Sequence, residues 1–372
     1  MKAIATLFLF FLLLSPQASS CQAVFFESMN DTLMRFSFDE NYYLVDKNCE
    51  FKAIERVAGF DKETRQFHGE FKDFHVGSAR TILTGAYTNG KKTGDFKAYY
   101  PDGGLRWEAT FVDDENIGAW KYYYPDGTPQ LFLSFSESSF SIDQMWDKEG
   151  TQTVVDGKGH YSWDSPIIGF TEHGFTHYNR VGAVVNGFPN EAWPVVFSHP
   201  NGEKQTVGVE AFADGAIRDV IHTNFLRYYY GEDANLFAFS ILPNDYFPRA
   251  EFLLSKGCTF DQFANFDAYL ILKFNRFLKE SAETLEVNSK VTYKVRVNKN
   301  GLPTFRGLTS EETLDRPQRR FLRRMISAVN YYLPSYLSGK ATNDLLTISF
   351  DAKYDENTKA VSGLQIHREK GE

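Results

Sequence analysis

Residues Gly94-Asp95-Phe96-Lys97-Ala98-Tyr99-Tyr100-Pro101-Asp102-Gly103 recur 24 positions later as Gly118-Ala119-Trp120-Lys121-Tyr122-Tyr123-Tyr124-Pro125-Asp126-Gly127. A unit of two dozen residues is too short to enclose a core, so a chain built this way must stack its copies. Each copy has room for two short strands and two tight turns. Asn89-Gly90, Asp102-Gly103 and Asp126-Gly127 read as hairpin dipeptides, because Asn, Asp and Gly accept the positive φ of primed turns. Phe, Trp and Tyr fill the strand positions, wide enough to cover the rings of the next hairpin.

The same stretch contains most of a phosphate-binding loop, Gly85 followed by Gly90-Lys91. Such a loop needs a Ser or Thr hydroxyl next and a helix whose N-terminus faces the phosphates. Lys92 stands in that place, and an aromatic run follows. The glycines therefore belong to the repeat. Weaker copies begin at Gly69-Glu70-Phe71 and at Asn186-Gly187, with Val154 to Tyr161 as a degenerate copy between them.

The pattern resembles the MORN-type hairpin repeat, well over residues 61 to 135 and loosely over 150 to 220. The resemblance implies an interaction scaffold and brings no catalytic residues.

At the N-terminus, Met1-Lys2 leads into a twelve-residue apolar run, Ala3 to Leu14, interrupted only by Thr6, and then Ser15 to Cys21. That run is short for a membrane span but suits a secretory leader of residues 1–20. Ala18-Ser19-Ser20-Cys21 resembles a bacterial lipoprotein box, which implies a lipid on Cys21. Plain cleavage near Cys21 or Ala23 is the alternative. The expected location is the periplasm or the outer membrane. The remaining cysteines, Cys49 and Cys258, either form a disulfide or stay as two separate buried thiols.

Beyond residue 222 the aromatic repeat gives way to a mixed, partly helical bridge up to residue 286. From Lys290, Val291, Tyr293, Val295 and Val297 alternate with polar residues, as in a strand. Asn298 to Gly301 turns the chain, and a second strand follows through Thr304 to Leu308. Asp315 is placed to cap a helix with Pro317 in its first turn and Phe321, Leu322, Met325, Ile326 and Val329 on one side. A third strand runs from Leu345 to Phe350.

Val291 to Gly301, the helix, Tyr332 to Lys340 and the closing strand together resemble the C-terminal domain of TonB over residues 287 to 355. The expected fold class is β-rich α+β: a MORN-like hairpin sheet (61–222) after an N-terminal segment (21–60), then a small β-β-α-β domain and a tail (356–372). The resemblance implies a docking module that accepts an extended peptide at an open sheet edge. Leu345, Thr347 and Ser349 on the final strand are the expected contacts. The helix adds Arg316, Arg319, Arg320 and Arg323 on its polar side. A membrane-spanning anchor and a Pro-rich spacer are both missing, so the expectation is the docking module without the transducing engine.

Charge supports a protein partner. The chain carries −8 in all, yet residues 289 to 355 hold twelve basic against six acidic side chains. That asymmetry suits an acidic partner segment or the chain's own acidic repeats. Nucleic acid is not expected for an exported acidic protein.

No GxSxG elbow, HExxH pair or dinucleotide-binding turn occurs, so neither catalysis nor a cofactor is expected. Glu172, His173 and His177 are the nearest approach to a metal set, but glycine between the histidines disfavours a helix. Tyr99, Tyr100, Trp107, Trp120, Tyr122, Tyr124 and Trp193 form either a stacking surface for a sugar or simply the face between hairpins. The alternative function is a carbohydrate- or peptidoglycan-acting enzyme, or an inert spacer, with activity in residues 136 to 285.

Overall fold

The structure is a computed structural model. It describes residues 24–370 except 137–138, 168–169, 171–173, 200–201, 223–242, 244, 284 and 338–339. Sixteen strands, from β1 (Phe26–Ser28) to β16 (Ala216–His222), form one antiparallel sheet in which every strand neighbours the next in sequence. This order is what a chain of local hairpins produces, since no pairing requires a long crossover. The sheet starts earlier than residue 61: β1, β2 (Leu33–Phe38) and β3 (Ile54–Asp61) belong to it.

Two kinds of turn alternate. Asn89-Gly90, Asp156-Gly157, Asn186-Gly187 and Asp214-Gly215 have both residues at positive φ, as a primed two-residue turn requires. The Pro-Asp-Gly turns differ from the sequence expectation. Of Asp102-Gly103 and Asp126-Gly127, only the glycines, at φ 101° and 85°, are left-handed. Gly103 N–H donates to the Tyr100 carbonyl and Tyr100 N–H to the Gly104 carbonyl, so the loop is longer than two residues and Asp102 keeps an ordinary φ. Gly85 has its own reason to lack a side chain. An added Cβ would stand 2.5 Å from the Phe96 ring.

Alternate residues of the strands from β4 (Gln66–His75) to β8 (Glu115–Tyr123) place Phe71, Phe96, Trp107, Phe111 and Trp120 on one face. Their rings meet across strands, Phe96 with Phe111 at 4.7 Å and Phe111 with Trp120 at 5.3 Å. The segment around a 3-10 turn, Phe247–Phe252, closes this face. Phe247 lies 5.7 Å from both Phe96 and Trp107. Trp107 Nε1 donates to Asp245 at 3.0 Å, and Tyr87 donates to Glu251 at 3.0 Å. Main-chain bonds join Leu44 to Leu254 and Lys256, and a Cys49–Cys258 disulfide fixes the same loops.

The C-terminal unit is a second sheet in the order β18 (Pro303–Ser310), β17 (Val287–Val297), β21 (Asp344–Tyr354), β22 (Lys359–Lys370). A short hairpin, β19 (Ser335–Leu337) with β20 (Lys340–Thr342), stands beside it. Before it come the single turn α1 (Phe260–Phe263) and helix α2 (Phe266–Glu280). Helix α3 (Arg316–Ser327) starts at Asp315, whose side chain and that of Gln318 satisfy each other's backbone N–H. Phe274 and Leu278 of α2, and Phe321 and Met325 of α3, pack with Val291, Tyr293, Ile348 and Phe350 in one core. Among the described residues no helix is long and apolar enough to cross a membrane.

Candidate functional site

The strand expected at the edge is not at the edge. β21 pairs with β17 along its whole length and with β22 on its other side. The segment expected as a tail, 356–372, supplies β22, so the sheet has four strands rather than three. The backbone of Leu345, Thr347 and Ser349 is therefore spoken for. Their side chains share the face opposite the helices, half-buried, while Leu346, Ile348 and Phe350 fill the core. Thr347 stands between Lys294 and His367 in register.

The unpaired borders are β18 and β22. β22 is the less accessible of the two: Asn275 of α2 accepts from the Val361 N–H at 2.6 Å, occupying the border with a side chain. Arg368 in the same strand is tied down by Asp261 at 2.5 Å and Asp344 at 3.0 Å. β18 pairs only with β17 among the described residues. A bulge opposite Lys294 and Val295 leaves Arg306 without a register partner.

The arginines of α3 stand beside this border. Arg316, Arg319, Arg320 and Arg323 are exposed. Arg323 places its guanidinium 5.7 Å over the ring of Phe305 in β18, which puts the basic helix face next to the open strand. Arg319 donates to the Leu314 carbonyl at 3.1 Å, and Arg324 pairs with Glu283. Arg316, Arg320 and Arg323 meet no carboxylate among the described residues. A basic, partly solvated row beside unsatisfied main chain can hold an extended acidic segment by backbone bonds and charge together.

The remaining candidates separate cleanly. Trp107, Trp120, Tyr122 and Trp193 are buried in the sheet core and offer no platform. Tyr99, Tyr100 and Tyr124 are half-buried, with Tyr100 donating to the Tyr123 carbonyl and Tyr124 to the Trp146 carbonyl. Glu172 and His173 lie outside the described residues, and so does Cys21. His177 begins β13 (His177–Val185), exposed. No group of three His, Cys, Asp or Glu suited to a metal occurs among the described residues.

No family model matches the chain, and no curated protein matches it.

Proposed function

We propose that the chain is an exported, non-catalytic envelope protein in which MORN-like hairpins form a scaffold and a TonB-like C-terminal domain docks a protein partner, in the service of outer-membrane transport. The observation that carries this reading is the exposed arginine row of α3 against the unpaired border of β18, joined through Arg323 and Phe305. The partner segment is extended and acidic, adding to β18 as an outer strand. Lipidation of Cys21 would hold the protein at a membrane surface.

Site-specific photo-crosslinking in the intact chain tests it. A crosslinker at Thr304, on the border strand, captures an envelope protein, and one at Thr347, inside the sheet, does not. Arg319→Glu with Arg323→Glu lowers the Thr304 yield severalfold. Equal yields at both positions, or a yield indifferent to the arginine changes, would refute strand addition at β18. Palmitate labelling that disappears in Cys21→Ala checks the anchor.

A further inference from the structure

Two clefts share a wall. One, of about 730 Å³, lies where the hairpin sheet meets the C-terminal unit. The other, of about 480 Å³, follows the aromatic face past Tyr99 and Arg106. Glu40, Asn41, Pro166 and Tyr246 line both, so the two are successive stretches of one groove. Either stretch falls in the size range of small-molecule sites, and together they suit a ligand of several linked units.

The lining has a consistent chemistry. Rings come from Tyr99, Tyr246, Tyr331 and Tyr336, the last 50% exposed at the mouth. Carboxamides come from Asn41, Asn265 and Asn300. Asn265 is unusual: it precedes α2 in the left-handed conformation, φ 56°, and its side chain does not cap the helix. An Asn at a helix start ordinarily uses its amide for that purpose, so this amide is left for another partner. Arg106 faces Asp245 at 3.6 Å, and Lys299 and Glu40 balance each other in formal charge.

Balanced charge argues against a polyanion. β5 (Thr81–Thr88) to β7 (Leu105–Val112), the strands whose Tyr99 and Arg106 line the second stretch, are paired on both sides, so an extended peptide would find no main chain to bond along them. Rings and amides lining the same groove instead match a sugar, whose C–H faces stack on aromatic rings and whose acetamido groups pair with carboxamides in both directions. The geometry points to a groove that binds an oligosaccharide bearing acetamido groups. This site is separate from the β18 border and does not depend on it.

The test is calorimetric titration of the full mature chain with N-acetylglucosamine oligomers of two to six units, with glucose oligomers of equal length as a second arm. Affinity rises with length across the acetamido series and is weaker for the glucose series. Tyr336→Ala and Asn300→Ala change exposed side chains, and each weakens binding roughly three- to tenfold, the worth of one stacking or hydrogen-bonding partner. Thermal melts of both variants check that the fold is kept. Arg319→Glu with Arg323→Glu leaves sugar binding unchanged. Absence of heat with either sugar series, or binding untouched by both groove variants, would overturn the assignment. Displacement of the sugar by an acidic peptide would overturn it as well.

Discussion

Arg56 on β3 and Asp73 on β4 (Gln66–His75) face each other in register and are joined by two hydrogen bonds, of 2.7 Å and 2.9 Å, with neither side chain exposed to solvent. Burial opposes the guanidinium's charge, but the Asp73 carboxylate more than offsets it and holds the Arg56 pKa above its ordinary value. Tyr42 donates to the same carboxylate, and the Phe71 ring stands 4.3 Å from the guanidinium carbon.

Breaking that pair leaves a charge in the core. Asp73→Ala is expected to cost about 3–5 kcal/mol in urea denaturation, the usual penalty for removing one partner of a buried ion pair. The double variant Arg56→Met with Asp73→Leu should lose markedly less than Asp73→Ala alone. A double variant no more stable than the single one would show that the pair contributes more than mutual neutralisation.

The Cys49–Cys258 bond closes a loop with a sequence separation of 209. Constraining so long a segment in the unfolded chain stabilises the fold by about 2–5 kcal/mol. Cys49→Ser with Cys258→Ser should lower Tm accordingly, and reductant should bring the natural chain to the same value. An unchanged Tm under reductant would mean that the pair does not form.

Phe247 closes the aromatic face from outside the repeats. Phe247→Ala removes a ring in contact with Phe96, Trp107 and Phe111 and should destabilise by about 3–5 kcal/mol. Trp107 emission should shift to the red in the folded variant, because water reaches its indole. Emission identical to that of the natural chain would show that another segment covers the face.

Acidity offers a fourth check. Burial raises the carboxyl pKa of Asp245 and of Glu251 above ordinary values, against the pull of Arg106 and Lys92. The folded chain thus binds protons there more readily than the unfolded chain, and stability rises as pH falls from neutral toward the ordinary carboxylate value of about 4. Below that value the sign reverses, since hydrogen bonds to Asp46, Asp61 and Asp126 lower their pKa and their contribution is lost on protonation. Melts at a series of pH values read the slope, and Asp245→Asn with Glu251→Gln should flatten its upper part. An upper slope unaltered in that double variant would assign the effect elsewhere.

Much of the local structure was legible. Asn89-Gly90 and Asn186-Gly187 mark turns because Asn and Gly are among the few residue types that accept positive φ at two successive positions. The cap at Asp315 and the buried stripe Phe321, Leu322, Met325 and Ile326 follow from spacing along one helix. The arginine row was legible for the same reason. The groove was not, because Asn41, Tyr246, Asn265 and Tyr336 come from four distant segments with no shared motif.

The sequence by itself determined the hairpins, the alternation of ring and polar positions, and the capped helix that follows two strands in the C-terminal unit. These depend on neighbours a few residues apart. Tertiary structure alone decided which strand is a border, which aromatic rings are core, and that Cys49 meets Cys258. A residue such as Thr347 is placed inside a sheet by the return of a segment whose own pattern does not name its neighbour. Pairing of that kind depends on which backbone edge remains unsatisfied once the local units have formed, and only the assembled chain fixes it.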